Sequence, residues 1–282
     1  MDICRTKAQM RRALAPLRGG GATLGLVPTM GYLHDGHLAL VRSAREACDH
    51  VAASIFVNPT QFGPTEDLAS YPRDAERDLA LLEAEGVAAV FLPDPAEMYH
   101  PDSETVVDTT HLSGILIGTL RPGHFRGVAT VVTKLFNIVQ PTHAFFGRKD
   151  FQQLAVIRTM VRDLDIPVEI VGIPTQRAPD GLALSSRNVR LSPEHRAAAP
   201  ALFAALHWAE TTLPRNPMTI EELQAAITTR LSGTPGAAVQ SVDIRDADTL
   251  AALTGPIAAP VVILLAVRFG DVLLIDQRVV SP

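Results

Sequence analysis

The sequence predicts an α/β protein with a Rossmann-like, doubly wound parallel sheet and a second, smaller α+β domain. Up to about residue 175, short apolar runs alternate with amphipathic segments of about a dozen residues, a pattern typical of βαβ units on a parallel sheet. Beyond that point the pattern changes to alanine-rich helices and β-like runs. Polar, glycine-containing segments follow several predicted strands, which is where open α/β sheets bind ligands.

The first part of the chain contains nine predicted elements. The first is an apolar run after three glycines, and the second places Leu38 and Val41 at helical spacing. Asn58-Pro59 ends the second strand, Gly86 ends the charged helix that follows, and the alternation then continues. The elements are strand 24–29, helix 36–49, strand 51–57, helix 74–85, strand 87–92, helix 127–139, strand 143–146, helix 150–164 and strand 168–172.

The second part of the chain begins with a polar loop that runs to Asn188. We therefore predict a nucleotide- and substrate-binding domain at 1–175 and a smaller C-terminal α+β lid or cap domain at 176–282. The elements of the second domain are helix 193–212, helix 219–231 and β-like runs at 239–245, 261–267 and 272–275.

Composition excludes several classes of protein. The 282 residues carry a net charge of −5, which argues against a protein that grips a nucleic-acid backbone. The hydrophobic fraction of 47% is typical of a packed globular protein rather than of disorder. Two cysteines, Cys4 and Cys48, exclude a disulfide framework and a thiolate zinc site.

The chain also lacks the patterns of membrane and exported proteins. The N-terminal segment has scattered bases without a continuous apolar stretch, so we predict no signal peptide. The longest strongly apolar stretch, 256–267, is shorter than the ~20 residues that span a bilayer. We expect a soluble cytoplasmic protein without a membrane partner.

The segment from Pro28 to His37, PTMGYLHDGH, joins the first predicted strand to the first predicted helix. A helix N-terminus has unpaired N–H groups that bind phosphate, and glycines permit close approach of a ligand. His34 and His37, three residues apart, can face the same anion. The alternatives are a turn-capping histidine beside a surface one, or a metal pair, for which no third ligand lies close by in sequence.

A second segment, GRKDFQQ from Gly147 to Gln153, stands at another predicted strand-to-helix corner. Lys149 is one of only three lysines in the chain, and a lysine is a compact point charge suited to a phosphate group. A solvated turn is the alternative interpretation of this segment.

A third segment, DGLALSSRN, lies in the loop between the predicted domains. Ser185, Ser186 and Arg187 offer two hydroxyls and a guanidinium to triphosphate oxygens, and such a loop can close as a lid. The same residues also suit a helix cap and a turn.

Charge is distributed unevenly around a fourth segment, RPGHFRG. No Asp or Glu occurs in the 41 residues between Asp108 and Asp150, which favours an anionic ligand. A buried apolar helix with few charges accounts for part of this pattern. The window contains five bases: Arg121, Arg126, Lys134, Arg148 and Lys149.

A fifth segment, FVNPTQFG, follows the second predicted strand. Asn58 and Gln61 offer neutral donors and acceptors beside two phenylalanines, which suits a small polar ligand with an apolar body. Taken alone, such amides are more often turn residues.

Together these segments resemble the pantothenate synthetase (pantoate–β-alanine ligase) family of the HxGH nucleotidylyltransferase superfamily. The resemblance covers most of residues 24–192 in order, and the last ninety residues match loosely. It runs through PTMGYLHDGH, FVNPTQFGPTEDLASYPRD, RPGHFRGVATVVTKLFNIVQP, GRKDFQQL and DGLALSSRN.

The resemblance implies an ATP-dependent condensation of pantoate with β-alanine through a pantoyl adenylate, with Mg²⁺, in a cytoplasmic homodimer. It implies catalytic roles for His34, His37, Lys149 and Arg187, with His37 as the usual acid. It also implies pantoate contacts from Gln61 and Gln153, with Asn58 and His124 nearby, and no metal ligand from the protein. The implied ATP-binding residues are Met30, Gly31, Tyr32, Leu33, His34, Asp35, Gly36, His37, Gly147, Arg148, Lys149, Asp150, Gln176, Leu184, Ser185, Ser186 and Arg187.

The chain departs from the family pattern at three positions. Arg148 and Ile117 stand where the family often has Glu, and Thr60 stands where it often has Met. The first two remove acids near the inferred anion site, so we hypothesise tighter phosphate binding or a rearranged salt bridge.

Two other functions remain open at this point. Another HxGH-type nucleotidyltransferase with a phosphate acceptor would release pyrophosphate without AMP. A non-catalytic nucleotide-binding protein would bind ATP without turnover. An aminoacyl-tRNA synthetase is disfavoured, because the short second domain offers no evident RNA surface.

Overall fold

The computed structural model describes residues 1–64 and 66–282, which form two units, Met1–Pro174 and Thr175–Pro282. In the described part of the first unit, six strands make a single parallel sheet. The strands are β1 (Asp2–Cys4), β2 (Leu24–Thr29), β3 (His50–Ile55), β4 (Ala89–Phe91), β5 (His143–Gly147) and β6 (Glu169–Ile173).

The order of the strands across the sheet is β1-β4-β3-β2-β5-β6. From β2 the chain runs outward to β3 and β4, and it then returns to the other side of β2 to form β5 and β6. The order in which the chain adds strands therefore reverses between β2 and β5. These two parallel strands pair through Gly25–His143 and Leu26–Ala144. Such a switch point is the usual ligand site of an open α/β sheet, at the carboxyl ends of the strands.

Helices cover both faces of this sheet. Neighbouring residues of β2 point to opposite faces, so Leu26 packs with the α6 and α7 side while Val27 packs with Val41 on the α2 side. The helices are α1 (Lys7–Leu14), α2 (Asp35–Ala47), α3 (Ala75–Ala84), α4 (Pro95–Met98), α5 (Ile117–Leu120), α6 (His124–Val139) and α7 (Phe151–Asp163).

The second unit packs helices against an antiparallel sheet of three strands in its described residues. Leu223 and Ile227 share one apolar core with Ile263 and Leu265 of the sheet. The elements are α8 (Pro193–Ala198), α9 (Ala201–Thr212), α10 (Ile220–Ser232), β7 (Ala237–Asp246), β8 (Val261–Phe269) and β9 (Val272–Val280).

The predicted α/β class, with a parallel sheet and a smaller α+β part, is confirmed, and three details differ. The predicted helix 193–212 is two helices, because Pro200 has no N–H to continue the first. β9 extends to Val280, beyond the predicted end at residue 275. The prediction also omitted β1 and the helices α1, α4 and α5. A three-residue strand such as β1 is recognisable only through its pairing with β4. No helix in the described residues is long and apolar enough to cross a membrane.

Candidate active site

The loop between β2 and α2 turns sharply at Gly31 and Tyr32. Both residues have a left-handed backbone, with φ of 86° and 51°. A Cβ atom on Gly31 would lie 3.0 Å from the Asp78 carboxylate and 3.0 Å from the side chain of Ile55. The turn therefore requires glycine at position 31, for both its backbone conformation and its space.

Asp78, on α3, anchors this turn. Its carboxylate accepts hydrogen bonds from the backbone N–H groups of Tyr32, at 2.6 Å, and Leu33, at 2.7 Å. The residue is 1% exposed, and burial raises its pKa although the two hydrogen bonds oppose the change. The sequence prediction missed Asp78; the available signal was a carboxylate one turn before Leu82 on the buried face of a helix.

His34 and His37 cap the N-terminus of α2 reciprocally. The Nδ1 atom of His34 accepts from the Gly36 N–H at 3.1 Å, and the Nδ1 atom of His37 accepts from the His34 N–H at 3.3 Å. A neutral imidazole that accepts at Nδ1 carries its proton at Nε2. Each ring therefore offers an Nε2–H donor, and the two ring centroids are 4.0 Å apart.

Both rings are uncharged at neutral pH. Burial and, to a smaller extent, the nearby charge of Lys149 lower the pKa of His34 to about 4. Burial lowers the pKa of His37 well below its ordinary value, and His34 and Lys149 act in the same direction. The histidines thus serve as hydrogen-bond donors, and the positive potential beside them comes from Lys149 and the α2 N-terminus.

The second corner, between β5 and α7, brings Lys149 to the same end of the sheet. The Lys149 Nζ atom lies 3.6 Å from the Asp150 carboxylate, and its side chain is mostly buried. A Cβ atom added to Gly147 would meet nothing within 4 Å, so the space in front of this glycine is open. The Arg148 Nε atom donates to the Gly172 carbonyl at 3.0 Å, which holds this side chain along β6.

Asn58 is buried beside the loop between β2 and α2, and its side-chain amide forms several hydrogen bonds. Its Nδ2 atom donates to Gln61 Oε1 and to the Gly127 carbonyl, both at 3.1 Å. Its Oδ1 atom accepts from the Tyr99 hydroxyl at 2.7 Å and from the Thr60 hydroxyl at 3.0 Å. The Asn58 amide is fully occupied within the protein and acts by orienting Gln61.

The Gln61 amide retains donor capacity. Its Nε2 atom contacts the Met30 sulfur at 3.2 Å, and a thioether is a weak acceptor. Because Asn58 fixes the oxygen end of this amide, the nitrogen end is directed toward the loop of residues 30–37. Gln153, also predicted near pantoate, lies in the first turn of α7 and is partly exposed.

His124 supports Gln61 from the other side. Arginine can only donate, so the 3.1 Å contact from Arg121 makes His124 Nε2 an acceptor, and His124 Nδ1 donates to the Gln61 carbonyl at 2.9 Å. Burial and the charge of Arg121 lower the pKa of His124 to about 4. Arg121 in turn pairs with Glu66 at 2.5 Å.

These contacts correct one sequence interpretation. The acid-free window was taken to leave five bases for an anion, yet Glu66 from outside the window neutralises Arg121. Lys134 lies over the Tyr99 ring, 5.2 Å from its centroid, and Arg148 donates to a carbonyl. Lys149 acts on the other two histidines, because its charge lowers the pKa of both His34 and His37.

The predicted triphosphate segment belongs to the second unit. The Leu184 N–H donates to the Gln176 carbonyl at 2.9 Å, and the Ser185 hydroxyl accepts from the Arg187 N–H at 3.3 Å as it caps a short 3₁₀ helix, Ser186–Arg190. These contacts close the segment into a hairpin that ends at the two serines.

The family model described as pantoate-beta-alanine ligase matches residues 2–279. The chain belongs to the pantoate–β-alanine ligase family. The match covers both units, including most of the last ninety residues, where the quoted motifs match only loosely. As a member of this family, the chain is an enzyme of the acid–amine ligase class.

Curated relatives of this family align with the chain along its length. The pantothenate synthetase of Chloroflexus aurantiacus is 54% identical over 277 residues, which are 98% of this chain and 97% of the relative. The pantothenate synthetase of Sinorhizobium medicae is 53% identical over 282 residues, which are 100% of this chain and 97% of the relative.

Solved structures of the family have the same fold. Pantothenate synthetase from Thermus thermophilus superposes with a TM-score of 0.94 at 47% identity, covering 100% of both chains. The pantoate-beta-alanine ligase from Francisella tularensis, complexed with Beta-gamma ATP and Beta-alanine, has a TM-score of 0.82 at 33% identity, covering 99% of this chain and 97% of that one.

Proposed function

We propose that this ligase joins pantoate to β-alanine in two steps, with ATP as co-substrate. The observation that carries the proposal is the pair of Nε2–H donors of His34 and His37, held at the N-terminus of α2 beside Lys149. Fixed donors beside a positive charge suit the phosphate oxygens of a nucleotide. The structure of the Francisella relative with a bound ATP species supports this assignment.

In the first step, a carboxylate oxygen of pantoate forms a bond to the α-phosphorus of ATP. The bond between that phosphorus and the bridging oxygen to the β-phosphorus breaks, and pyrophosphate leaves. Adenylation comes first because a carboxylate oxygen is a poor leaving group. The reaction needs no nucleophilic side chain, so positioning and charge stabilisation supply the catalysis.

The first unit supplies the reacting centre. His34 and His37 donate to phosphate oxygens as neutral imidazoles, and Lys149 balances the charge that develops on the α-phosphate. Because Nδ1 of His37 accepts a hydrogen bond, the neutral ring acts as a donor through Nε2 rather than as an imidazolium acid. Backbone groups of 30–36 and 147–150, including Arg148, surround the nucleotide.

Pantoate binds through amide groups in this proposal. Gln61 presents its amide nitrogen, oriented by Asn58 and His124, and Gln153 adds a second amide from α7. Neutral donors hold a carboxylate without neutralising it, so its oxygen stays nucleophilic.

The resemblance also assigns nucleotide contacts to residues of the second unit. The backbone at Gln176 recognises the base, and Leu184, Ser185, Ser186 and Arg187 bind the triphosphate, with Arg187 balancing charge on the departing pyrophosphate.

In the second step, the amine nitrogen of β-alanine forms a bond to the acyl carbon of the adenylate. The bond from that carbon to the phosphate oxygen breaks, AMP leaves, and the nitrogen loses a proton. Pantothenate and AMP are the products.

Mg²⁺ enters this scheme as part of the ATP complex. The described residues contain no group of three or more His, Cys, Asp or Glu side chains that could hold a metal ion. Mg²⁺ commonly binds substrate phosphates and keeps several waters, so the triphosphate can supply its ligands. When bound there, the ion would supply charge neutralisation for the pyrophosphate.

The test is a product assay with ATP, Mg²⁺, pantoate and β-alanine, in which AMP and pyrophosphate are followed separately. We expect AMP only when both pantoate and β-alanine are present. Pyrophosphate without AMP would instead indicate a phosphate acceptor, and binding without turnover would indicate a non-catalytic protein. The homodimer and the cytoplasmic location implied by the resemblance stay predictions.

A further inference from the structure

Arg177 and Asp276, ninety-nine positions apart, form a paired contact in the second unit. The two guanidinium nitrogens donate to the two carboxylate oxygens at 2.6 and 2.9 Å. The Asp276 side chain is 1% exposed and also accepts from the Gln277 N–H at 2.8 Å. A bidentate pair of this kind fixes the plane and direction of the guanidinium.

Arg177 is part of the hairpin that carries the predicted triphosphate segment. Its backbone forms an isolated bridge with Ala183, and the Leu184 N–H donates to the Gln176 carbonyl on one side of that bridge. On the other side, the Ala178 N–H donates to the Leu182 carbonyl at 2.8 Å. The two ends of the hairpin are therefore the two positions assigned to the nucleotide.

The same guanidinium closes the hairpin from within. Arg177 donates to the Gly181 carbonyl at 3.1 Å and lies over the Phe203 ring of α9, 4.7 Å from its centroid. A Cβ atom on Gly181 would come within 2.2 Å of that ring, so the turn is packed tightly against α9. Asp276 is the group that holds the guanidinium in this place.

We propose that Asp276 is a positioning residue for nucleotide binding: through Arg177, it holds the hairpin of residues 176–184 in the conformation that presents Gln176 and the segment 184–187 to ATP. This inference rests on the proposed function of that segment. Asp276 itself need not touch the nucleotide.

The test compares Asp276→Asn and Arg177→Lys with the parent enzyme. Asp276→Asn removes the carboxylate, and Arg177→Lys keeps the charge but loses the bidentate geometry. We expect the ATP KM to rise at least about tenfold in both variants, while the pantoate KM changes less than about twofold. Hydrogen exchange of the Ala178 and Leu184 amides should quicken, because the bonds across the hairpin open more often.

Glu210→Gln is the matched control. Glu210 pairs with Arg278, which lies over the same Phe203 ring as Arg177. The control should lower Tm without changing the ATP KM. If Asp276→Asn lowers Tm while its ATP KM and hairpin exchange match the parent, Asp276 has only a structural role and the proposal is wrong.

The parent enzyme separates this proposal from the proposed function. If the parent forms no AMP, the proposed function fails. The exchange rates of the Ala178 and Leu184 amides in Asp276→Asn then still show whether Asp276 holds the hairpin. Unchanged exchange overturns the positioning role in either case.

Discussion

The His34 N–H donates to Nδ1 of His37 while Nδ1 of His34 accepts from the Gly36 N–H, so a backbone N–H group fixes the tautomer of each ring. This relationship places both protons at Nε2. The pair is therefore a set of two neutral N–H donors.

The donor role predicts a graded response at His37. His37→Ala should lower kcat by about 10²–10³, the usual cost of one missing donor to a developing charge. His37→Gln keeps an amide N–H and should recover at least about tenfold of that loss. Steady-state kinetics with saturating ATP measure both. Equal losses in the two variants would instead favour an acid role.

Acid pH should destabilise the fold through its buried histidines. The pKa values of His34 and His124 are lowered to about 4, so the unfolded chain binds more protons than the folded one between pH ~6.5 and about 4. The free energy of unfolding should fall as pH falls through this window, by on the order of a few kcal/mol in total. Urea unfolding at several pH values measures this slope.

Two variants test the source of that slope. His124→Gln should flatten the pH dependence, because it removes one buried titrating group. His100→Gln, at an exposed side chain, is the matched control and should keep the slope of the parent. An unchanged slope in His124→Gln would show that other groups cause the acid instability.

Asp78→Asn should impair ATP binding, although Asp78 lies outside the set of predicted site residues. An amide can accept from only one of the Tyr32 and Leu33 N–H groups and turns its own donor toward the other. We expect a loss of about 1–3 kcal/mol in stability and a rise of at least about tenfold in ATP KM. Glu76→Gln, exposed on the same helix, should change neither quantity. A parent-like ATP KM in Asp78→Asn would mean that the turn keeps its shape without this anchor.

Lys149→Met should slow adenylation severely and leave the fold intact. Its charge lowers the pKa of His34, so the His34 pKa should also rise in the variant. Pyrophosphate release and NMR titration of the histidine measure the two effects. Near-normal turnover would remove Lys149 from the mechanism, and an unmoved His34 pKa would show that the two groups do not interact.

Arg148→Glu should leave the ATP KM within about threefold of the parent. The Arg148 guanidinium donates to the Gly172 carbonyl. Burial lowers the pKa of Arg158, and the charge of Arg148 lowers it to a smaller extent. The substitution should therefore act on the interaction with Arg158 and on Tm. A large rise in ATP KM would support the hypothesis of tighter phosphate binding.

The sequence determined the alternation of strands and helices, the α/β class and the two loops that follow β2 and β5, because these depend on local periodicity and turn chemistry. The motifs containing His34, Lys149 and Ser185 were visible for the same reason. Strand pairing then decided that β2 and β5 are neighbours, which brings the first two motifs to one end of the sheet.

Only the tertiary structure decided what the polar groups do. Asp78 anchors the loop between β2 and α2, Asp276 pairs with Arg177, and the Asn58 amide bonds to Gln61. The His34 and His37 tautomers likewise depend on hydrogen-bond distances. The hydrogen bonds of the two aspartates reach residues that are 46 and 99 positions away in the chain. They form because buried polar groups must pair with each other once water is excluded, and no local sequence pattern encodes such distant pairings.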